Sequence, residues 1–210
     1  MFSRREWIVV LILVLVVVGI YGALLLLLVG QDVSIPSPPL AGNQPRPTPP
    51  WELLTAREAY PLAEKVAQEW RSDARLSSAT AAWSQPTMAE LTTGRTAWGF
   101  SFVSPSAGEK AILAVTGQQA ELVQVQRVSK VPELLDVAGW QVDSPLAVRM
   151  FLDHEGEGFL RDHPDSEIHL RLSTWAEEGT ILWLAIGLSA DGQSSAFIQI
   201  DAINARVLGP

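Results

Sequence analysis

The segment Trp183–Leu208 restates, without a gap, the segment lying 85 positions before it. Trp98 corresponds to Trp183, Ser104 to Ser189, Ala111 to Ala196 and Ala120 to Ala205. Apolar positions coincide too: Ile112 with Phe197, Leu113 with Ile198, Val115 with Ile200, Leu122 with Val207 and Val123 with Leu208. A repeated pattern constrains the fold because two similar stretches build similar local structures. In each, period-two alternation and β-branched residues predict a strand, a polar turn, a second strand and a short last strand. The copies differ in one respect. In the first, the bulky residues Trp98, Phe100 and Phe102 share a face. In the second, Leu182, Leu184, Ile186 and Leu188 lie on the face opposite Trp183. Side chains alternate along a strand, so the two sheets are expected to bury different faces, or the second to be covered on both. Two units packed into one interlocked structure meet that condition; two identical beads do not.

Upstream of each copy the pattern turns helical. Thr55 and Glu58 form a capping-box signature, and Leu62, Val66 and Trp70 with Ala59, Ala63 and Ala67 make one apolar stripe. Pro61 predicts a fresh helix start, since proline is tolerated in a first turn. Asp73–Trp83 reads as a strand, followed by a polar loop containing Pro86 and Gly94. Asp143-Ser144-Pro145 opens a second helix, with Pro145-Leu146-Ala147 echoing Pro61-Leu62-Ala63. Gly156 and Gly158 are expected to weaken or break it, and Ser166–Trp175 alternates as another half-buried strand. The fold class expected is therefore α+β, two helix-plus-antiparallel-sheet units over 51–128 and 143–210, with a connector at 129–142.

Both units stand behind an apolar run, Ile8–Val29. At about 1.5 Å per residue it covers the roughly 30 Å hydrocarbon core of a bilayer. Arg4 and Arg5 precede it and the next basic residue is Arg46, so the positive-inside rule predicts a single-pass transmembrane signal anchor at 8–29, with residues 1–7 cytoplasmic and the remainder extracytoplasmic, in a bacterial cell membrane. A cleaved signal peptide would have a shorter apolar core and a small-x-small site. Gly19 and Ala23 read as incidental small residues in a lipid-facing helix. Residues 30–50, with prolines at 36, 38, 39, 45, 47, 49 and 50, read as an extended spacer.

Composition narrows the function classes. A net charge of −8 with scattered basic residues excludes a phosphate-binding surface for nucleic acid. The absence of cysteine removes disulfides, thiolate metal sites and cysteine nucleophiles.

The closing stretch Phe197-Ile198-Gln199-Ile200-Asp201-Ala202-Ile203-Asn204-Ala205-Arg206-Val207-Leu208, and more weakly Ile112–Val123, resembles the PepSY domain family. The resemblance spans about Ala56–Leu208 and implies tandem extracytoplasmic α+β modules that bind proteins or restrain peptidases, without catalytic residues. Ala205 and Ala120 stand where that family usually has Gly, and Thr116 where it has Asp. Asn204 is then the residue best able to take the positive φ of the turn.

Little points to catalysis. Asp153, His154, Glu155, Glu157, Asp162, His163, Asp165, Glu167 and His169 form the densest polar cluster, chemically suited to a divalent ion. No HExxH spacing occurs, and a solvated helix end accounts for the cluster. There is no GxSxG elbow and no Gly-rich phosphate loop. Of the tryptophans, Trp70, Trp98 and Trp183 read as core, whereas Trp83, Trp140 and Trp175 are candidates for a partner-binding groove. The expectation is a non-catalytic binding or regulatory module acting on an envelope protein or peptidase, with no cofactor, membrane lipid contacted through 8–29 and a protein partner. An accessory subunit of a membrane complex and a metal-dependent enzyme using Asp153–His169 are the alternatives.

Overall fold

The computed structural model describes residues 53–175 and 179–209. Eight strands, β1 (Arg75–Ser84), β2 (Trp98–Ser104), β3 (Glu109–Thr116), β4 (Gln119–Arg127), β5 (Glu167–Trp175), β6 (Thr180–Leu188), β7 (Ser195–Asp201) and β8 (Arg206–Gly209), form one antiparallel sheet in the order β4-β3-β2-β1-β5-β6-β7-β8. The expectation of two helix-plus-sheet units is corrected here. β1 pairs with β5 over Ser78–Ser84, with Ala79 opposite Leu172, Ala81 opposite Leu170 and Trp83 opposite Ile168. A four-stranded half ending at β1 would leave a row of unpaired N–H and C=O groups, and so would one ending at β5. Joining them satisfies both and runs one apolar face across the join.

The expectation of different buried faces is also overturned. Trp98, Phe100, Phe102, Leu170, Leu172, Trp183, Ala185, Ile198 and Ile200 are all buried on one side, and the Trp98 and Trp183 rings lie 6.0 Å apart. The second half uses small residues there because a helix presses close. A Cβ on Gly187 would meet the Phe159 ring at 2.7 Å. Leu184, Ile186 and Leu188 point to the other side, where they are only partly covered or exposed, and Leu182 of the same row is buried there.

Four α-helices, α1 (Ala56–Trp70), α2 (Met88–Thr93), α3 (Ser144–Phe151) and α4 (Glu157–Asp162), cover the tryptophan side. Thr55 and Glu58 do form the reciprocal capping box of α1. The helix runs through Pro61 without restarting, because Ala56, Ala59, Ala63 and Ala67 bury one continuous face and that burial outweighs the backbone bond a mid-helix proline forfeits. Pro145, by contrast, is the second residue of α3, so the two Pro-Leu-Ala triplets are not structural equivalents. The expected polar loop between β1 and β2 instead holds α2, with a second capping box from Thr87 and Glu90. Gly156 does not break the second helix; α3 passes into a π-helical turn, Leu152–Gly156, and on into α4. The extra residue in that turn brings Gly156 against Phe151, whose ring a Cβ would meet at 2.5 Å.

The repeated tryptophans have the same job in each half. Trp98 Nε1 donates to the Leu54 carbonyl at 2.9 Å, just before the N-cap of α1. Trp183 Nε1 donates to the Val142 carbonyl at 2.8 Å, just before the Asp143 N-cap of α3. The helix starts are joined to each other as well. Asp143 Oδ1 accepts from the Ser144 and Arg57 amides, while Ser144 Oγ accepts from the Ala56 amide and donates to the Gly94 carbonyl. Ser104 and Ser189, also paired in the repeat, are both buried and donate to Asp73 and Asp191 at 2.6 Å each.

In the β7–β8 turn the positive φ falls on Ala205, at 53°, rather than on Asn204. Asn204 is held by Asp201, which accepts from both its amide and its side-chain nitrogen. Burial raises the Asp201 pKa, but these bonds, with one from the Ile203 amide, outweigh it and keep the carboxyl below its usual range. Ala205→Gly removes the left-handed strain and is expected to stabilise the fold by about 1 kcal/mol, read as a higher urea midpoint at unchanged slope.

Among the described residues no helix is long and apolar enough to cross a membrane. The longest, α1, has 15 residues, about 22 Å of helix against a core of about 30 Å. The single-pass architecture and the localisation built on it are corrected to this extent: the described structure is a sheet with short helices on one side. Residues 8–29, with 1–7 and 30–50, lie outside the described residues.

Candidate binding cavity beside Trp83

α2 is short, six residues, and two terminal devices hold it in place. At its start the Thr87 hydroxyl accepts from the Glu90 amide, and the Glu90 carboxylate accepts from the Thr87 amide at 2.8 Å. The Thr87 amide foremost, and the Thr87 hydroxyl, which also donates to the carboxylate, hold the Glu90 carboxyl below its ordinary pKa. At its end Gly94 adopts the left-handed conformation, φ 60°, which turns the chain back towards β2. Between α2, the end of β1 and the chain entering α1 lies a cavity of about 550 Å³, within the range of small-ligand and peptide pockets.

Its walls are mainly apolar and include Trp83, Leu53, Ala89, Thr93 and Thr96. Trp83 is fixed from behind. Its Nε1 donates to the Arg95 carbonyl at 3.3 Å, and its ring meets Trp98 edge-on at 6.3 Å between centroids. Arg95 closes one side, donating to the Leu53 carbonyl and the Glu58 carboxylate at 2.8 Å each. Partial burial raises the Glu58 pKa, but its bonds with Thr55 and Arg95 prevail and lower it. The guanidinium is thereby neutralised within the wall. Such a cavity has the size and apolar lining to take a side chain, with Glu90 as a polar group in its wall.

The other sequence candidates lie elsewhere. Trp140 is 1% exposed; its Nε1 donates to the Val142 carbonyl and its ring packs against Trp183 and Tyr60. Its surface is consumed by the core. Trp175 is 43% exposed at the end of β5, away from the cavity wall. Trp98 and Trp183 are buried as expected, and Trp70 is partly buried under the Arg71 guanidinium.

The Asp153–His169 cluster is spread over three elements. Asp153, His154 and Glu155 sit on the π turn, Glu157 and Asp162 on α4, Glu167 and His169 on β5, and His163 and Asp165 on the loop that joins the last two. Each histidine has its own neighbour: the Met150 carbonyl for His154, the Phe159 ring for His163 and the Glu167 carboxylate for His169. Among the described residues no three His, Asp or Glu side chains gather as a metal site.

Sequence reasoning found Trp83 but missed Ala89, Thr93 and Arg95. The available signal was the Thr87-x-x-Glu90 box followed by Gly94, the start and stop of a short helix.

No known family profile matches the chain, and no curated protein matches it. Among solved structures it is similar to a "putative lipoprotein" of Clostridium difficile 630, with 9% identity and a TM-score of 0.47 over 71% of this chain and 90% of that one. At that identity and score the likeness says nothing of what this chain does.

Proposed function

We propose that this protein is a non-catalytic binding module whose cavity beside Trp83 takes an apolar side chain from an extended segment of a partner protein. The observation that carries the reading is the cavity itself: about 550 Å³, mainly apolar, with its tryptophan and arginine already locked by bonds to the scaffold. A wall held in place before binding loses little side-chain freedom when a ligand arrives. The PepSY resemblance supports a protein ligand and points to peptidases as one class of partner. Scattered basic residues and a net charge of −8 disfavour nucleic acid.

The test is peptide selection on the full chain. Displayed random peptides are expected to converge on a short motif with one large apolar residue. Ala89 is exposed on the cavity wall, so Ala89→Arg fills the space without touching the core. Selected peptides are expected to bind this variant at least about tenfold more weakly, at an unchanged melting temperature. Equal binding to both proteins, or no convergence, sinks the proposal.

A further inference from the structure

The chain leading into α1 forms part of the Trp83 cavity. Leu53 is one of its wall residues. The Arg95 guanidinium donates to the Leu53 carbonyl at 2.8 Å, and the Thr96 amide donates to the Leu54 carbonyl at 3.1 Å. Arg95 and Thr96 are wall residues too, so cavity and incoming chain are fastened together. Leu54 bridges to Thr96 and is buried, while Leu53 is left at the cavity. Glu52 and then Trp51 come next towards the N-terminus, and both lie just outside the described residues.

Two residues of extended chain span at most about 7 Å, so the Trp51 Cα stands within that distance of a wall residue. A bridged residue is extended, and along extended chain residues two apart point to the same side. Continued back from Leu54, that alternation puts Trp51 on the side of Leu53. Pro47-Thr48-Pro49-Pro50 precede it. Their fixed φ, and the limits they set on the residues before them, leave the segment less freedom to lose when it settles on a surface. Among side chains, the indole has one of the largest apolar areas to bury. The link decides the outcome. A group on so short a tether is present at an effective concentration on the order of millimolar, so even a weak contact with the cavity is well populated. A segment arriving from solution must compete with it.

We infer that Trp51 of the same chain is the resident occupant of the Trp83 cavity, an internal plug that a partner segment has to displace. This rests on the proposed function in so far as the cavity takes an apolar side chain, and it adds the regulation of that site. With about four-fifths of the molecules plugged, the partner's apparent affinity falls about fivefold.

The test uses the full chain in mild detergent with fluorotryptophan in place of tryptophan. The fluorine signals of Trp51 and Trp175 are assigned from Trp51→Phe and Trp175→Phe. Trp175, 43% exposed, is the reference for an open indole. A soluble gadolinium chelate is expected to broaden the Trp51 signal several-fold less than that of Trp175. Ala89→Arg, which fills the cavity, is expected to bring Trp51 to the Trp175 level. Equal broadening of the two in wild type, or a Trp51 signal that Ala89→Arg leaves unchanged, overturns the inference whether or not any peptide binds. Selected peptides are expected to bind Trp51→Ala about fivefold more tightly than wild type and to expose the wild-type Trp51 signal. Peptides that bind both proteins equally overturn the plug and leave the binding reading intact. A protected Trp51 with no converging peptide upholds the plug and ends that reading. Tighter binding to the Pro49→Ala, Pro50→Ala chain but not to Trp51→Ala overturns the inference and gives the cavity to the prolines.

Discussion

Trp98→Ala is expected to cost about 5 kcal/mol of folding free energy. Truncating a buried tryptophan costs about 3–5 kcal/mol in lost contact and residual cavity. Trp98 is 1% exposed and touches Trp83, Phe100 and Trp183, so few neighbours are free to collapse into the space. The Leu54 carbonyl, which accepts from its indole N–H at 2.9 Å, is left without that donor at the entry to α1, adding about 1 kcal/mol or more. Domains of this size have about 5–15 kcal/mol in all, so the variant is expected to be largely unfolded or to melt far below wild type. Trp98→Phe keeps most of the ring volume and loses the donor, with an expected cost of about 2 kcal/mol. Urea titration of the three proteins checks both values. A Trp98→Ala midpoint close to wild type would show that the core does not turn on this residue.

Gly94→Ala is expected to cost about 3 kcal/mol or more, although it adds one methyl group. Two effects act together. At φ +60° any L side chain is strained by about 1 kcal/mol. The added Cβ would also stand 2.4 Å from the Pro145 nitrogen, 2.6 Å from its Cα and 2.7 Å from the Ser144 carbonyl carbon. These are backbone atoms, and Ser144 is tied to this spot by its bonds with Gly94 and Ala56. Relief requires α3 to move away from α2, which disturbs the joined helix starts and the wall of the Trp83 cavity. Gly108→Ala is the matched control: its φ is +62° but nothing lies within 4 Å of the new Cβ, so it should show only the strain. The difference between the two melting shifts isolates the clash.

How much of this was legible beforehand depends on the range of the interaction. The Thr55–Glu58 capping box, the Asp143 N-cap and the alternation of β2, β3, β6 and β7 are local patterns, and each appears in the structure near its expected place. The equivalence of Trp98 and Trp183 was visible as spacing. Its meaning, an indole N–H holding the carbonyl before each helix, needed the third dimension. α2 was missed because its six residues make less than two turns, too few for an apolar stripe to show. At Pro61 local propensity favours a helix start, and the burial of the alanine face, which depends on what packs against it, overrides that preference. In the sequence Trp83, Trp140 and Trp175 read alike, as candidates for a binding groove. Only packing separated a cavity wall, a core residue and an exposed strand end.

By itself, then, the sequence determined the strands, their alternation, the starts of α1 and α3 and the pairing of positions 85 apart, because backbone geometry and capping act over a few residues. Tertiary structure decided that β1 meets β5, so that the two halves share one sheet and one buried face. No residue in β1 announces that partner; the pairing satisfies backbone groups that every strand carries alike. The same decision turned Leu184, Ile186 and Leu188 outward and folded α2 over Trp83, since which face is inner depends on where the helices lie.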